Sequence, residues 1–162
     1  MNDSPATAED FASAEDFASL RLDQQLCFGL YAATNAIIRA YRPLLADLGV
    51  TYSQYLVLMA LWERDRRTVS ELGRELMLDS GTLTPLLKRM EAAGLVHRRR
   101  RAEDEREVEI GLTETARHLR RRALEVRRHI VCQLGIGDAD IARLRADLNE
   151  VIQALNDAAA TA

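Results

Sequence analysis

Cys27 and Cys132 carry the redox-active side chains of this 162-residue chain. They lie 105 positions apart, with no CxxC pair and no Cys/His spacing suited to zinc. In a reducing compartment both are expected to be free thiols at rest. Cys27 shares a face with Leu30, Thr34, Ile37, Ile38, Tyr41, Leu45 and Leu48, spaced as on one long helix over about residues 21–48. The commonest fate of a lone cysteine on such a face is inert packing; the sharper alternative is a reactive thiol. Tyr31 lies one turn from it. Tyr41 lies fourteen residues on, ~21 Å along a helix axis, so it reaches Cys27 only from a second chain or if the helix breaks. Cys132 falls off the apolar stripe of its own segment, near a helix end, and is expected to be accessible. His97, His118 and His129 lack metal-ligand spacing and no cofactor fingerprint is present, so neither a metal nor a cofactor is expected.

A second constellation is polar and basic. Ser80, Gly81, Thr82, Thr84, Pro85, Lys88 and Arg89 occupy the face of one short helix opposite Leu83, Leu86, Leu87 and Met90. Small and hydroxylated residues at a helix start allow close backbone approach, and the N-terminal end favours phosphate. Threonine methyls and hydroxyls, with Lys and Arg, suit base edges. Four consecutive arginines follow at Arg98 to Arg101; on a strand they point to both sides, so about half would face DNA. Arg98 and Arg100 are the expected contacts. Across the next turn, Asp104 is placed to orient Arg106 for minor-groove insertion. The bland readings are a solvated helix face and a charged hairpin tip.

These residues need elements to position them. Thr51 with Gln54, and Thr68 with Glu71, are capping boxes that open two helices. The first should bury Tyr55, Leu58, Met59 and Trp62, the second Leu72 and Leu76. Asp79 or Ser80 caps the basic helix; Pro85 is expected to distort it locally, and Gly94 ends it. Residues 95–101 and 106–112 read as strands around a turn at 102–105. From Thr113, Ala116, Leu119, Ala123, Val126 and Ile130 repeat at alternating spacings of three and four, which suits packing against another helix. Gly135 and Gly137 break the chain before a last helix bearing Ile141, Leu144, Leu148, Ile152 and Leu155. Pro43 should kink or break the first helix, and Gly49 should stop it. The expected architecture is mainly α with a small β-wing. A winged helix-turn-helix over residues 51–112 is flanked by an N-terminal helix (20–50) and C-terminal helices (113–157) that supply a dimerisation region.

Net charge is −3, but five acids (Asp3, Glu9, Asp10, Glu15, Asp16) sit in residues 1–19, which contain no Lys or Arg, so residues 20–162 carry +2. From Gly81 to Arg106 seven basic residues face four acids, a local +3. A polyanionic partner responds to that distribution rather than to the sum. The tail repeats AEDFAS at residues 8–19 and is read as disordered. No apolar run spans a membrane and no signal peptide is evident, so no membrane partner and a cytoplasmic location are expected.

The segments LDSGTLTPLLKRMEAAGLVHRRRRAEDER (78–106) and LTETA (112–116) resemble the MarR family of dimeric winged-helix repressors over about residues 20–157. LDQQLCFGLYAATNAIIRAY and LGVTYSQYLVLMALWE resemble, more narrowly, its organic-hydroperoxide-sensing branch. That resemblance implies a homodimer on double-stranded operator DNA with an organic hydroperoxide as inducer. It also implies that Cys27 is the sensor, positioned by Tyr41 and Tyr52 of the other subunit, and that Cys132 is the resolving partner for a disulfide. It implies a regulator, not an enzyme. The competing readings are a repressor gated by a small phenol or aromatic acid, with Cys27 merely lining the site, and a thiol peroxidase, for which no activating His is evident.

Overall fold

The computed structural model describes Phe17, residues 19–101 and residues 107–161. Asp104 and Arg106, and nearly all of the tail read over residues 1–19, lie outside these. A short 3-10 turn at Leu22–Gln24 precedes helix α1, Leu26–Leu48. Gln25 is extended and gives α1 no side-chain cap; its amide turns back to the carbonyl oxygens of Ser19 (2.6 Å) and Arg21 (3.2 Å). The helix therefore starts at Leu26, not near Arg21 as the periodicity predicts.

Pro43 does not break α1, although it removes one backbone hydrogen bond. The turn that follows is held from the core side by buried Leu45 and Leu48, and Arg122 donates to the Asp47 carbonyl oxygen at 2.8 Å. Gly49 ends the helix at φ +72°, and Val50 N–H closes back on the Leu45 carbonyl oxygen at 3.1 Å. That left-handed turn requires the freedom of glycine. Helix α2, Tyr52–Glu63, opens on the Thr51–Gln54 capping box as predicted. It buries Tyr55, Val57, Leu58, Ala60 and Leu61, whereas Met59 is 39% exposed, against expectation.

Strand β1 is only Arg67–Thr68. Thr68 caps α3, Val69–Leu76, through the second capping box. Asp79 caps α4, Ser80–Ala92, which runs through Pro85 without interruption. Strand β2, Val96–Arg100, is one residue shorter at each end than predicted, while β3, Val108–Leu112, ends where predicted. The sheet is antiparallel in the order β1-β3-β2, with Arg67 opposite Ile110 and Arg98 opposite Ile110 on the other side. Helix α5, Glu114–Leu134, is capped by Thr113 and ends at Gly135; α6 spans Asp138–Thr161.

One core unites α2 to α5 with the last turns of α1. Leu45, Leu58, Leu61, Leu72, Leu83, Leu87, Met90 and Ile110 are almost completely inaccessible. The two ends differ sharply from this. No residue of α1 before Leu45 is buried, and none of α6 is. Leu22, Leu26, Tyr31, Leu134, Leu144 and Leu155 stay exposed in a single chain. No single described helix is long and apolar enough to cross a membrane.

Candidate nucleic-acid interface and thiol site

Asp79 builds the start of α4. Its carboxylate accepts from Thr82 N–H at 2.9 Å and from the Thr82 hydroxyl at 2.8 Å. A Cβ on Gly81 would come within 2.9 Å of Asp79 Oδ1, so glycine here keeps the cap open. The Thr82 hydroxyl and N–H beside it hold the Asp79 carboxyl below the usual carboxylate range. One of the N-terminal donors expected for phosphate is thus already used. Ser80, Thr82, Lys88 and Arg89 are exposed and Thr84 is half-buried, while the leucine stripe and Met90 face the core. The helix presents the predicted two faces.

The arginines of β2 divide differently from a simple alternation. Arg98 is only 22% exposed: its N–H donates to Glu91 Oε1 at 3.2 Å, its guanidinium pairs with Oε2 at 3.7 Å, and its Nε is buried without a partner. It braces β2 against α4. Arg101 pairs with Glu107 at 2.8 Å and Glu109 at 3.9 Å. Arg99 and Arg100 are exposed and form no ion pair among the described residues. Arg99 was not singled out from sequence; its place beside the paired Arg98 and Arg101 is set by cross-strand neighbours that the local pattern does not reveal.

The sheet is fastened to α5 by a second cluster. Asp65 accepts from Leu112 N–H (2.9 Å), Arg66 N–H (2.9 Å) and the Arg117 guanidinium (2.5 Å). Burial alone would raise its carboxyl, but these donors outweigh it and hold it below the usual range. Trp62 Nε1–H donates to the Ala116 carbonyl oxygen at 2.9 Å. The sequence marks Trp62 only as a core residue, and the pairing of Asp65 with Arg117 leaves no local signal because they lie 52 positions apart.

Cys27 is the second residue of α1 and Cys132 lies in the last turn of α5; both are free and exposed. Backbone N–H groups of a first helical turn have no intrahelical acceptor and favour negative charge. Tyr41 and Tyr52 of the same chain meet with ring centroids 5.2 Å apart at 60°. Tyr55 lies 5.8 Å from Tyr41, and Trp62 6.1 Å from Tyr55. Burial pushes the Tyr41 hydroxyl above the ordinary phenol range, reinforced by Tyr55 and Tyr52 and opposed by Arg127; burial does the same to Tyr52. Both phenols are therefore protonated donors at neutral pH. Because α1 is unbroken from Leu26 to Leu48, Cys27 and Tyr41 of one chain are held ~21 Å apart. A cleft of ≈ 400 Å³ opens beside Tyr52, lined by Ile38, Arg42, Leu45, Val50 and Ser53 among others.

Two capped helices, a three-stranded sheet with an arginine-bearing hairpin and an exposed basic face on α4 define a winged helix-turn-helix regulator. A family model for the transcriptional regulator SarA/Rot matches residues 39–122. The organic hydroperoxide resistance transcriptional regulator of Bacillus subtilis is 43% identical over 140 residues, covering 86% of this chain and 95% of its own. Two solved structures of AbfR, a protein of Staphylococcus epidermidis, are each 36% identical. The reduced, DNA-bound form has a TM-score of 0.74 over 86% of this chain and 96% of that one. The disulfide form has a TM-score of 0.59 over 85% and 97%. The chain belongs to the Sar/Rot-type MarR-family winged-helix transcriptional regulators.

Proposed function

We propose that this protein is a homodimeric repressor that binds operator DNA through α4 and the wing and releases it when an organic hydroperoxide oxidises Cys27. The observation that carries the reading is the unbroken α1, with an exposed thiol at its start and a half-buried tyrosine pair near its end. In a dimer formed by the unpartnered apolar faces of α1, α5 and α6, the Cys27 of one chain can approach Tyr41 and Tyr52 of the other. The residues assigned to DNA are Ser80, Thr82, Thr84, Lys88, Arg89 and Arg100, together with Asp104 and Arg106 of the wing turn. Arg99 joins them on its exposure, and Arg98 supports the hairpin. The higher similarity to the reduced, DNA-bound form of AbfR than to its disulfide form supports a reduced, binding-competent arrangement. The reading places the protein in the cytoplasm, with DNA and a thiol-reducing pool.

The chemistry is short. The Cys27 thiolate attacks the distal peroxide oxygen; the O–O bond breaks, the sulfur becomes a sulfenic acid and the alkoxide leaves as an alcohol after taking a proton. The Tyr41 and Tyr52 hydroxyls donate hydrogen bonds that position the thiolate. The Cys132 thiol of the partner then displaces water from the sulfenic acid to form a disulfide, which an external thiol reduces. Bringing the sulfurs to about 2 Å moves the ends of α1 and α5. Half-sites about 34 Å apart tolerate little change in recognition-helix spacing, so DNA is released. The apolar lining of the cleft beside Tyr52 favours an organic peroxide over hydrogen peroxide.

The test is a binding titration on duplexes selected from a random-sequence library, with and without cumene hydroperoxide, for the wild type and Cys27→Ser. Peroxide is expected to weaken wild-type binding at least tenfold and to leave the variant unchanged. Equal release of both proteins would refute the sensor role, and failure to select any duplex would refute DNA binding.

A further inference from the structure

Thr82 is exposed on the α4 face assigned to DNA, and its chemistry is restricted by its neighbour. Its hydroxyl has one hydrogen to give, and that hydrogen goes to Asp79 Oδ2 at 2.8 Å while Thr82 N–H goes to Oδ1 at 2.9 Å. Two bonds to the two oxygens of one carboxylate fix the side chain at the helix start. Gly81 is part of the same device, because any Cβ there would press on Asp79 Oδ1. A Thr82 hydroxyl so committed cannot donate to guanine or adenine acceptors unless the cap opens. What remains for a base edge is the γ-methyl, together with the acceptor lone pairs of the oxygen. In the major groove only thymine carries a methyl group, at C5, and residues at the start of a recognition helix are the ones that reach base edges.

We propose that Thr82 is a specificity-determining residue that reads the 5-methyl of a thymine in each half-site by apolar contact, with Asp79 and Gly81 as its positioning residues. This rests on the DNA-binding reading above. The contact is worth about one buried methyl group, or about a fourfold change in affinity per half-site.

The test uses a duplex selected from a random library by the full-length wild type, with each thymine replaced in turn by deoxyuridine, which lacks only the methyl. Replacement of the contacted thymine in a single half-site is expected to weaken wild-type binding about fourfold, and its replacement in both half-sites about sixteenfold. Thr82→Ser keeps the hydroxyl bond to Asp79 and loses the methyl. It should bind the thymine duplex about as weakly as the wild type binds the duplex replaced in both half-sites, and be indifferent to the replacement. Circular dichroism and dimer size, unchanged in Thr82→Ser, keep the comparison valid. A duplex that is bound but insensitive to every replacement, or a Ser variant as sensitive as the wild type, would overturn the inference and leave DNA binding standing. If no duplex is selected at all, both fall.

Discussion

A mixed dimer separates a thiol site built across two chains from one built within a chain. The rigid span of α1 holds Cys27 ~21 Å from Tyr41 of its own chain, whereas a hydrogen bond needs about 3 Å. One protomer carries Cys27→Ser with intact tyrosines; its partner carries Tyr41→Phe and Tyr52→Phe with intact Cys27. Both carry Cys132→Ser, so that a single thiol is read. Distinct affinity tags isolate the mixed species. Its one remaining Cys27 faces the intact tyrosine pair of the other chain if the site is shared, and faces only phenylalanines if it is not. A hydrogen bond to a charged group is worth about 1.5–3 kcal/mol, so loss of the phenol donors should slow peroxide oxidation by about ten- to a hundredfold. The assay is the rate of sulfenic acid formation under cumene hydroperoxide, trapped with a cyclic dione and read by mass spectrometry. The mixed dimer should react at the wild-type rate per thiol, and the phenylalanine homodimer at the slow rate. A mixed dimer that reacts as slowly as the phenylalanine homodimer would refute the shared site.

Two further outcomes follow from the structure. Asp65→Ala removes a carboxylate that is 23% exposed and accepts three hydrogen bonds, one from Arg117; it should cost about 2–4 kcal/mol in urea unfolding. Because the folded Asp65 carboxyl lies below its unfolded value, its contribution is complete above about pH 4 and is lost as pH falls through the folded value. The stability gap to wild type should narrow on acidification, and a gap that widens would contradict the assignment. At the wing, Arg99→Ala and Arg100→Ala should each lower the slope of log affinity against log salt by about one. Arg98→Ala should act mainly on stability through the lost Glu91 brace; a full unit of lost slope in that variant would make it a phosphate contact.

The parts of this fold legible in the sequence are those fixed within one helical turn. The Thr51–Gln54 and Thr68–Glu71 boxes each satisfy their own helix start, and the Leu83, Leu86, Leu87, Met90 stripe needs only helical periodicity. Gly49, Gly94 and Gly135 all adopt positive φ at helix ends, the conformation their placement after periodic segments implies. The remaining features are non-local. Strand β1 has two residues and exists only because β3 passes beside it. The persistence of α1 through Pro43 depends on core contacts that outweigh one missing hydrogen bond. Helix α1 starts at Leu26, although apolar spacing continues back through Leu22, and the Gln25 side chain turns back to the Ser19 and Arg21 carbonyl oxygens instead of capping it.

The same division governs the site. The two faces of α4 are a property of one helix and were readable; the commitments of Arg98 to Glu91 and of Asp65 to Arg117 were not, because each joins elements whose approach only the fold decides. Their consequence is functional. Asp65 and Trp62 tie the end of α2 and the last residue of β3 to the first turn of α5, the helix that ends near Cys132. The aromatic series from Tyr52 and Tyr41 through Tyr55 reaches Trp62 in steps of 5.2, 5.8 and 6.1 Å. The tyrosines proposed to meet the partner's thiol are therefore packed, ring on ring, towards Trp62, which bonds α2 to α5. A shift of α1 or α5 under the proposed oxidation would meet this packed series, and close-packed side chains transmit displacement because they have no free volume to absorb it.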